Sequence, residues 1–253
     1  MKTFSILCFS LLLFHNLHSQ DICSREDIEC TYKKQSIPHL VIKKKGLENK
    51  KVFYLLHGIT QSSLQWTKIN CQWCFGKATL SILEKGYQVV LLDAPGHGFR
   101  HNSIDSDLLL QKLWSNDISH FFDLSEQYAH DLKILINQSV LKPKSIGGFS
   151  LGAASLLAYL SLFDDFFESV HLFGIPTNIP VGNKKTNDHF FTWNKNIKNN
   201  KFGKLNVYHA NKDIFSSLSS LNQLMDQHTD YKVFTFEEDH DLSNIFNYFR
   251  PPW

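Results

Sequence analysis

The sequence lacks the features that define several large classes of protein. It contains no apolar run of the roughly 20 residues that a membrane-spanning helix requires, so we expect no membrane span. The formal net charge of +2 is nearly balanced, and no basic helix is interleaved with aromatic residues, which argues against a nucleic-acid partner. Among 13 histidines there is no His-Glu-x-x-His motif and no clustered His/Asp pattern, so we expect no metal and no cofactor.

The N-terminus has the layout of a signal peptide. A positive charge at Lys2 precedes an apolar stretch over residues 4–14, and the small residue Ser19 offers a cleavage position. A membrane anchor is the alternative, but the stretch is too short to cross a bilayer. We therefore predict a signal peptide over residues 1–19 and a secreted or periplasmic location. Residues 20–253 are long enough to bury a substantial core and are predicted to form one domain, whose oligomeric state we leave open.

Removal of a signal peptide would leave four of the five cysteines, namely Cys23, Cys30, Cys71 and Cys74. An even number in an oxidising compartment predicts disulfides, with three pairings possible. We expect Cys23 or Cys30 to tie the N-terminal segment to the Cys71/Cys74 region. A redox Cys-x-x-Cys pair and a zinc site are disfavoured, because the strand-then-helix setting of the first and the ligand spacing of the second are missing.

Apolar segments and helical patterns alternate along most of the chain. The pattern predicts a mostly parallel sheet with helices on both faces, an α/β fold. The Lys- and Asn-rich stretch over residues 183–204 is expected to be solvated loop. Strands are predicted at residues 40–44, 51–56, 87–92, 145–149, 169–173, 205–209 and 231–236, and helices at 75–85, 124–137, 150–163, within 216–228 and after His240.

The pentapeptide Gly148-Phe149-Ser150-Leu151-Gly152 stands between a predicted strand and a predicted helix. Such a Gly-x-Ser-x-Gly motif describes a nucleophile elbow, a turn so tight that the residues two before and two after the serine must lack bulky side chains. A serine at a helix start is otherwise an N-cap, and this alternative stands beside the first. Ser150 is the candidate nucleophile.

A serine hydroxyl needs a general base, and the base needs an orienting acid. His240 follows the last predicted strand and Asp213 the one before it, so both come to the edge of the sheet where α/β active sites lie. Asp239 and Asp241 flank His240 but point away from it and are poorer partners. The backbone N–H groups of Ile59 and Leu151 are the candidate oxyanion donors, and His57 is interpreted as a turn residue.

These residues together resemble the α/β-hydrolase family over nearly the whole mature chain. The closer likeness is to small bacterial esterases related to dienelactone hydrolases and prolyl oligopeptidase catalytic domains. The resemblance implies a triad of Ser150, Asp213 and His240 with an oxyanion hole at Ile59 and Leu151. The motifs that carry it are His57-Gly58-Ile59-Thr60, Asp93-Ala94-Pro95-Gly96-His97-Gly98, the elbow, Asp213 and His240.

The chain departs from many members of the family between two of the predicted strands. Residues 175–204 are too few for a large lid domain, and we expect an open site. Phe190, Phe191 and Trp193 either line the substrate pocket there or only pin this segment to the core.

The function expected from these features is that of a secreted serine hydrolase, carboxylesterase-like (EC 3.1.1), acting on a small-molecule ester through an acyl-enzyme. No propeller domain restricts access to peptides, so a peptidase is less expected. Two alternatives remain open: an acyltransferase that uses the same triad, and a catalytically inactive hydrolase scaffold that only binds.

Overall fold

The computed structural model describes residues 20–47, 51–71, 73–100, 111–112, 118–141, 143–177, 186–198, 201–226, 228, 231–240 and 242. In the helix Thr186–Asn196, side chains are described from residue 189 onward. The strands are β1 (Gln20–Asp21), β2 (Ile28–Lys33), β3 (His39–Lys44), β4 (Lys51–Leu56), β5 (Lys68–Ile69), β6 (Tyr87–Leu92), β7 (Pro143–Phe149), β8 (Ser169–Phe173), β9 (Leu205–Ala210) and β10 (Tyr231–Phe236). The helices are α1 (Gly76–Glu84), α2 (Ser119–Gln138), α3 (Leu151–Leu162), α4 (Thr186–Asn196) and α5 (Leu218–Met225).

Eight of these strands form one mostly parallel sheet, in the order β10-β9-β8-β7-β4-β6-β3-β2. The neighbours from β10 to β6 pair in parallel, and only the β6–β3 and β3–β2 pairs are antiparallel. Parallel strands place their carboxyl ends at one edge of the sheet. The structure therefore confirms the α/β-hydrolase fold, and no separate lid domain is found within the described ranges.

The sheet carries a hydrophobic core on each face. Alternate residues of β4 serve the two cores, with Tyr54 and Leu56 on one side and Phe53 and Leu55 on the other. Both sets are buried because helices cover both faces. Helix α3 packs against α2, α4 and β7, and its first ten residues are all buried, as an apolar helix in a core requires.

The disulfide expectation was wrong in its pairing. The bonds are Cys23–Cys30 and Cys71–Cys74, whose Cα atoms lie 5.6 Å and 5.3 Å apart. The N-terminal segment does reach the Cys71/Cys74 region, but β1 pairs with β5 through its backbone and the Ile22 N–H donates to the Thr67 carbonyl at 2.8 Å. Backbone hydrogen bonds therefore make this connection, and each disulfide closes a local loop.

Every predicted strand and three of the predicted helices occur close to their expected bounds, and the helix predicted at 124–137 begins earlier, at Ser119. The helix expected after His240 lies outside the described residues. The expectation of solvated loop over residues 183–204 was wrong in part, because residues 186–196 form helix α4. Strand β2 and the β1–β5 pair were not foreseen. Within the described residues, no helix is both long and apolar enough to cross a membrane.

Helix α4 is held to the core by its aromatic residues. Phe190 and Trp193 are 1% and 4% exposed and both contact Phe122, with ring centroids 5.4 Å away in each case. The Trp193 indole N–H donates to Glu126 at 3.1 Å, and Phe191 is half-buried against the same core. Of the two roles considered for these aromatics, their contacts favour pinning the segment over lining a pocket.

Replacing Phe190 by alanine tests this role. We expect the free energy of unfolding to fall by ~3–5 kcal/mol, because the change leaves a cavity in a closed core. Urea denaturation measures the loss, and Phe166→Ala is the control, since Phe166 is 56% exposed. An unfolding free energy close to that of the wild type, together with an altered substrate profile, would favour the pocket role.

Candidate active site

Ser150 stands alone between the end of β7 and the start of α3. Its backbone has φ 51° and ψ −107°, a conformation that costs a non-glycine residue about 1–3 kcal/mol and is concentrated at functional sites. The Ser150 N–H donates to the Phe173 carbonyl at 2.9 Å, which anchors the turn to β8. The motif predicted this elbow.

The two motif glycines are required by close backbone contacts. A Cβ atom on Gly148 would lie 2.4 Å from the Gly152 carbonyl carbon, and a Cβ on Gly152 would lie 2.6 Å from the Leu56 carbonyl oxygen. The obstructing atoms are backbone and cannot rotate away. The helix can therefore leave the sheet directly after Ser150 only when both positions lack a side chain.

The three residues predicted as a triad lie within hydrogen-bond reach of one another. His240 Nε2 is 2.9 Å from Ser150 Oγ, and its Nδ1 is 2.8 Å from Asp213 Oδ2. A carboxylate only accepts, so Nδ1 carries a proton and donates to Asp213. In the neutral ring Nε2 is then the acceptor for the Ser150 hydroxyl, which is the arrangement a general base needs.

Backbone hydrogen bonds bring the acid and the imidazole together. Asn211 and Lys212, which follow β9, donate to the carbonyls of Phe236 and Glu238, which end or follow β10, at 2.7 Å and 3.0 Å. The parallel pairing thus continues past the strands. Asp213 Oδ1 also accepts the N–H of Phe215 at 2.8 Å, which fixes the carboxylate.

Aromatic rings and a glycine surround the imidazole. The rings of Phe149 and Phe215 have centroids 5.3 Å and 4.9 Å from that of His240. Gly174 has φ 55°, and a Cβ there would lie 3.4 Å from His240 Cε1. Sequence reasoning missed these three residues; Phe149 occupies a motif position that any residue can fill, and Gly174 follows β8 without a chemical group to mark it.

The predicted oxyanion donors lie on two turns at the same edge of the sheet. Leu151 is the first residue of α3, where an N–H has no partner inside the helix. Ile59 lies within a turn closed by the Gln61 N–H to Gly58 carbonyl bond at 3.3 Å, while the Gly58 N–H is occupied by Gln61 Oε1 at 3.0 Å. Neither the Ile59 nor the Leu151 N–H has an acceptor among the described residues.

His57 is bound into the turn on both sides of its ring. Its Nδ1–H donates to the Gly58 carbonyl at 2.7 Å, and its Nε2 accepts the Ala94 N–H at 2.9 Å. Complete burial lowers the pKa of His57 to about 4, so the ring is neutral at pH 7. Its lone pair is occupied by Ala94, which agrees with a structural role and leaves His240 as the base.

Asp93 explains the second glycine-rich motif. Its carboxylate accepts the N–H groups of Ser63 at 2.6 Å and Phe99 at 3.0 Å, which ties two loops to the end of β6. A Cβ on Gly98 would lie 2.4 Å from Asp93 Oδ2, so the close approach of this loop needs glycine. The carboxylate positions loops and has no contact with Ser150 or His240.

Two other expectations concern what lies near this site. Phe190, Phe191 and Trp193 pack against the core, and the structure does not bring them to Ser150. No group of three or more His, Cys, Asp or Glu side chains in the described part of the chain could hold a metal ion.

Comparison with known proteins agrees with this geometry. The profile of the alpha/beta hydrolase fold family matches residues 51–231, and the chain therefore belongs to this family. No curated protein matches it in sequence.

Solved structures share the fold at low sequence identity. A cold-adapted esterase from an Arctic intertidal metagenomic library has a TM-score of 0.61 at 13% identity, over 93% of this chain and 97% of that one. Est1E from Butyrivibrio proteoclasticus, solved with ferulic acid, has a TM-score of 0.59 at 13% identity, over 87% and 97%. The thioesterase domain of the curacin biosynthetic pathway has 0.58 at 12%, over 85% and 95%.

Because the elbow is tight, alanine substitutions at the adjacent residues Gly147 and Gly148 should have unequal effects on the free energy of unfolding. Gly148→Ala should lower the free energy of unfolding by about 1–3 kcal/mol, because the new methyl group meets fixed backbone atoms. Gly147→Ala is the matched control on the same strand; its Cβ would first meet the Leu55 side chain at 3.1 Å, which can shift. Thermal or urea unfolding measures both variants. Equal losses would contradict the close-contact explanation.

Proposed function

We propose that the protein is a serine hydrolase that cleaves small-molecule carboxylic esters through an acyl-enzyme on Ser150, a carboxylesterase-like activity of class EC 3.1.1. The observation that carries the proposal is the continuous hydrogen-bond chain from Ser150 through His240 to Asp213. Membership of the α/β hydrolase family supports it, as do the cold-adapted esterase, the ferulic acid-binding Est1E and the thioesterase domain that share the fold.

In the first half-reaction Ser150 Oγ attacks the ester carbonyl carbon while His240 Nε2 takes its proton. The carbonyl oxygen becomes an oxyanion, and the N–H groups of Ile59 and Leu151 are the donors proposed to stabilise it. Collapse of this intermediate expels the alcohol, which receives the proton from His240. Asp213 holds the tautomer and stabilises the imidazolium without taking the proton itself.

In the second half-reaction water replaces the alcohol. His240 Nε2 removes a proton from the water, whose oxygen attacks the acyl carbon, and Ser150 Oγ leaves with that proton. The products are the carboxylic acid and the free enzyme.

We also propose that the chain is secreted or periplasmic, with residues 1–19 as a cleaved signal peptide. The Cys23–Cys30 and Cys71–Cys74 bonds support this, since disulfides persist in oxidising compartments. N-terminal sequencing of the protein recovered outside the cytoplasm tests it, and a first residue near Gln20 is expected.

Substitutions in the hydrogen-bond chain test the catalytic proposal. Ser150→Ala should abolish hydrolysis of p-nitrophenyl acetate and covalent labelling by a fluorophosphonate. Asp213→Asn should lower kcat by roughly 10³–10⁴-fold, because the amide no longer selects the productive tautomer.

Asp239→Asn is the matched control for the acid. Asp239 is exposed and adjacent to His240 in sequence, but the described hydrogen bonds of the imidazole go to Asp213 and Ser150. The kcat of the Asp239→Asn variant should stay close to that of the wild type. Equal losses in the Asp213 and Asp239 variants, or labelling that survives Ser150→Ala, would contradict the assignment.

The rate should fall as the pH is lowered, because a protonated imidazole cannot accept the serine proton. We expect kcat/KM on p-nitrophenyl acetate to decline as the pH is lowered from neutral towards roughly pH 5. A rate independent of pH over this range would count against His240 as the base.

Unfolding must be separated from this decline. Burial lowers the pKa of His57 to about 4 and that of His171 to about 3. The unfolded chain therefore takes up these protons first as the pH falls below roughly 6.5, and stability is lost between that value and the folded pKa values. Circular dichroism at each pH is the control, and only rates from folded protein enter the profile.

A further inference from the structure

We propose that Trp73, held in place by the Cys71–Cys74 disulfide, forms a wall of the substrate pocket and selects esters that carry an aromatic or similarly bulky apolar group. The inference rests on the proposed function, because it assigns specificity to the site around Ser150. It concerns a segment that contains none of the residues assigned above to catalysis.

The position of Trp73 follows from the contacts of Phe149. The Phe149 ring has its centroid 5.3 Å from that of His240 and 6.3 Å from that of Trp73. The same ring closes the oxyanion turn from below, since a Cβ on Gly58 would lie 2.9 Å from Phe149 Cδ1. A single ring, that of Phe149, therefore lies between Trp73 and both the base and the proposed oxyanion hole.

The rings of Trp73, Phe149 and Phe75 differ in solvent exposure, and Trp73 is the most exposed of them. Phe149 and Phe75 are 2% and 0% exposed and belong to the core. Trp73 is only half-buried where it packs against them. Trp73 therefore keeps solvent-accessible surface next to a ring that contacts His240, and a substrate group can cover this surface.

The backbone of Trp73 requires a restraint. Its φ is 61°, in the left-handed region that a bulky residue rarely adopts. The disulfide joins the residues on either side of this short loop, Cys71 and Cys74. The Phe75 N–H then donates to the Gln65 carbonyl at 2.8 Å, which ties the end of the loop to the rest of the domain. The covalent bond thus holds the indole in its place against Phe149.

The chemistry of this wall determines the class of substrate. Phe149 and Phe215 have their rings next to that of His240, and Trp73 extends this aromatic group through its contact with Phe149. Aromatic rings pair favourably with other rings in offset or edge-on geometry and bury a large apolar area. An ester with an aromatic acyl or alcohol part would gain this contact, whereas a methyl acetate would not reach it.

The test measures kcat/KM for methyl acetate, phenyl acetate and methyl benzoate by titration of the released acid. In Trp73→Ala we expect kcat/KM for at least one aromatic ester to fall about tenfold relative to methyl acetate, through a higher KM. Trp73→Phe should recover part of the loss. An equal fall for all three esters would overturn the proposal, because Trp73 would then act only by supporting Phe149 and His240. No change for any ester would overturn it as well.

The role of the disulfide is tested separately. The double variant Cys71→Ser/Cys74→Ser should shift the ester preference in the same direction as Trp73→Ala, and dithiothreitol should shift the wild type but not this variant. Cys23→Ser/Cys30→Ser is the matched control, since that bond closes a loop on the edge strand β2. An unchanged preference in the Cys71/Cys74 variant would overturn the positioning by the bond.

Failure of this inference can be told apart from failure of the proposed function. If the wild type neither hydrolyses any of the esters nor reacts with a fluorophosphonate at Ser150, the proposed function and the inference on Trp73 are both wrong. If Ser150 is labelled and methyl acetate is hydrolysed while the Trp73 variants keep the wild-type preference, only the inference on Trp73 falls.

Discussion

The close approach of helix α3 to the sheet is the constraint on which the site depends. Gly152 lies against the Leu56 carbonyl of β4, and Gly148 lies against the backbone of the first helical turn. This contact forces Ser150 into its left-handed conformation and lifts its side chain clear of the strand. Leu151, the first residue of α3, follows Ser150 directly. The same close packing therefore positions both the nucleophile and one of the proposed oxyanion donors.

A second layer of buried polar groups holds the loops around this elbow. His57 and Asp93 end two adjacent parallel strands and donate to or accept from the backbone of the turns that follow. Buried polar groups are costly when unpaired, so each such bond restricts its loop to one arrangement. The histidine is kept neutral by its burial and can serve as both donor and acceptor. The family motifs that contain His57 and Asp93 thus include residues whose role is to anchor loops.

The sequence allowed much of this arrangement to be predicted, because its strongest signals are local. The elbow needs glycines at fixed positions, and β4 and β6 are largely apolar segments typical of a doubly covered parallel sheet. The order of Ser150, Asp213 and His240 followed from their places at strand ends. The contacts between them depend on the three-dimensional path of two loops, which sequence order implies but does not measure.

The features that could not be predicted are those that depend on distant partners. The cysteine pairing was wrong because the connection expected of a disulfide is made by the backbone of β1 and β5, which carry no strand pattern in two residues each. The amphipathic signal of α4 was hidden by the Lys and Asn residues within it and on either side of it. His171 gave no signal at all; its ring is buried between strands and hydrogen-bonds Tyr208 and Ser169 at 3.1 Å and 3.0 Å.

The site consists of two rigid parts joined through a third. Asp213 and His240 form one part, because hydrogen bonds between the loops after β9 and β10 fix them to each other. Ser150 and α3 form the other, fixed by glycine packing against β4. Phe149 lies between them, next to His240 and below the oxyanion turn, and it is the last residue of the strand that carries Ser150. Its ring packs beside the imidazole and its backbone continues into Ser150, so we expect a displacement of this ring to change the alignment of the reacting groups.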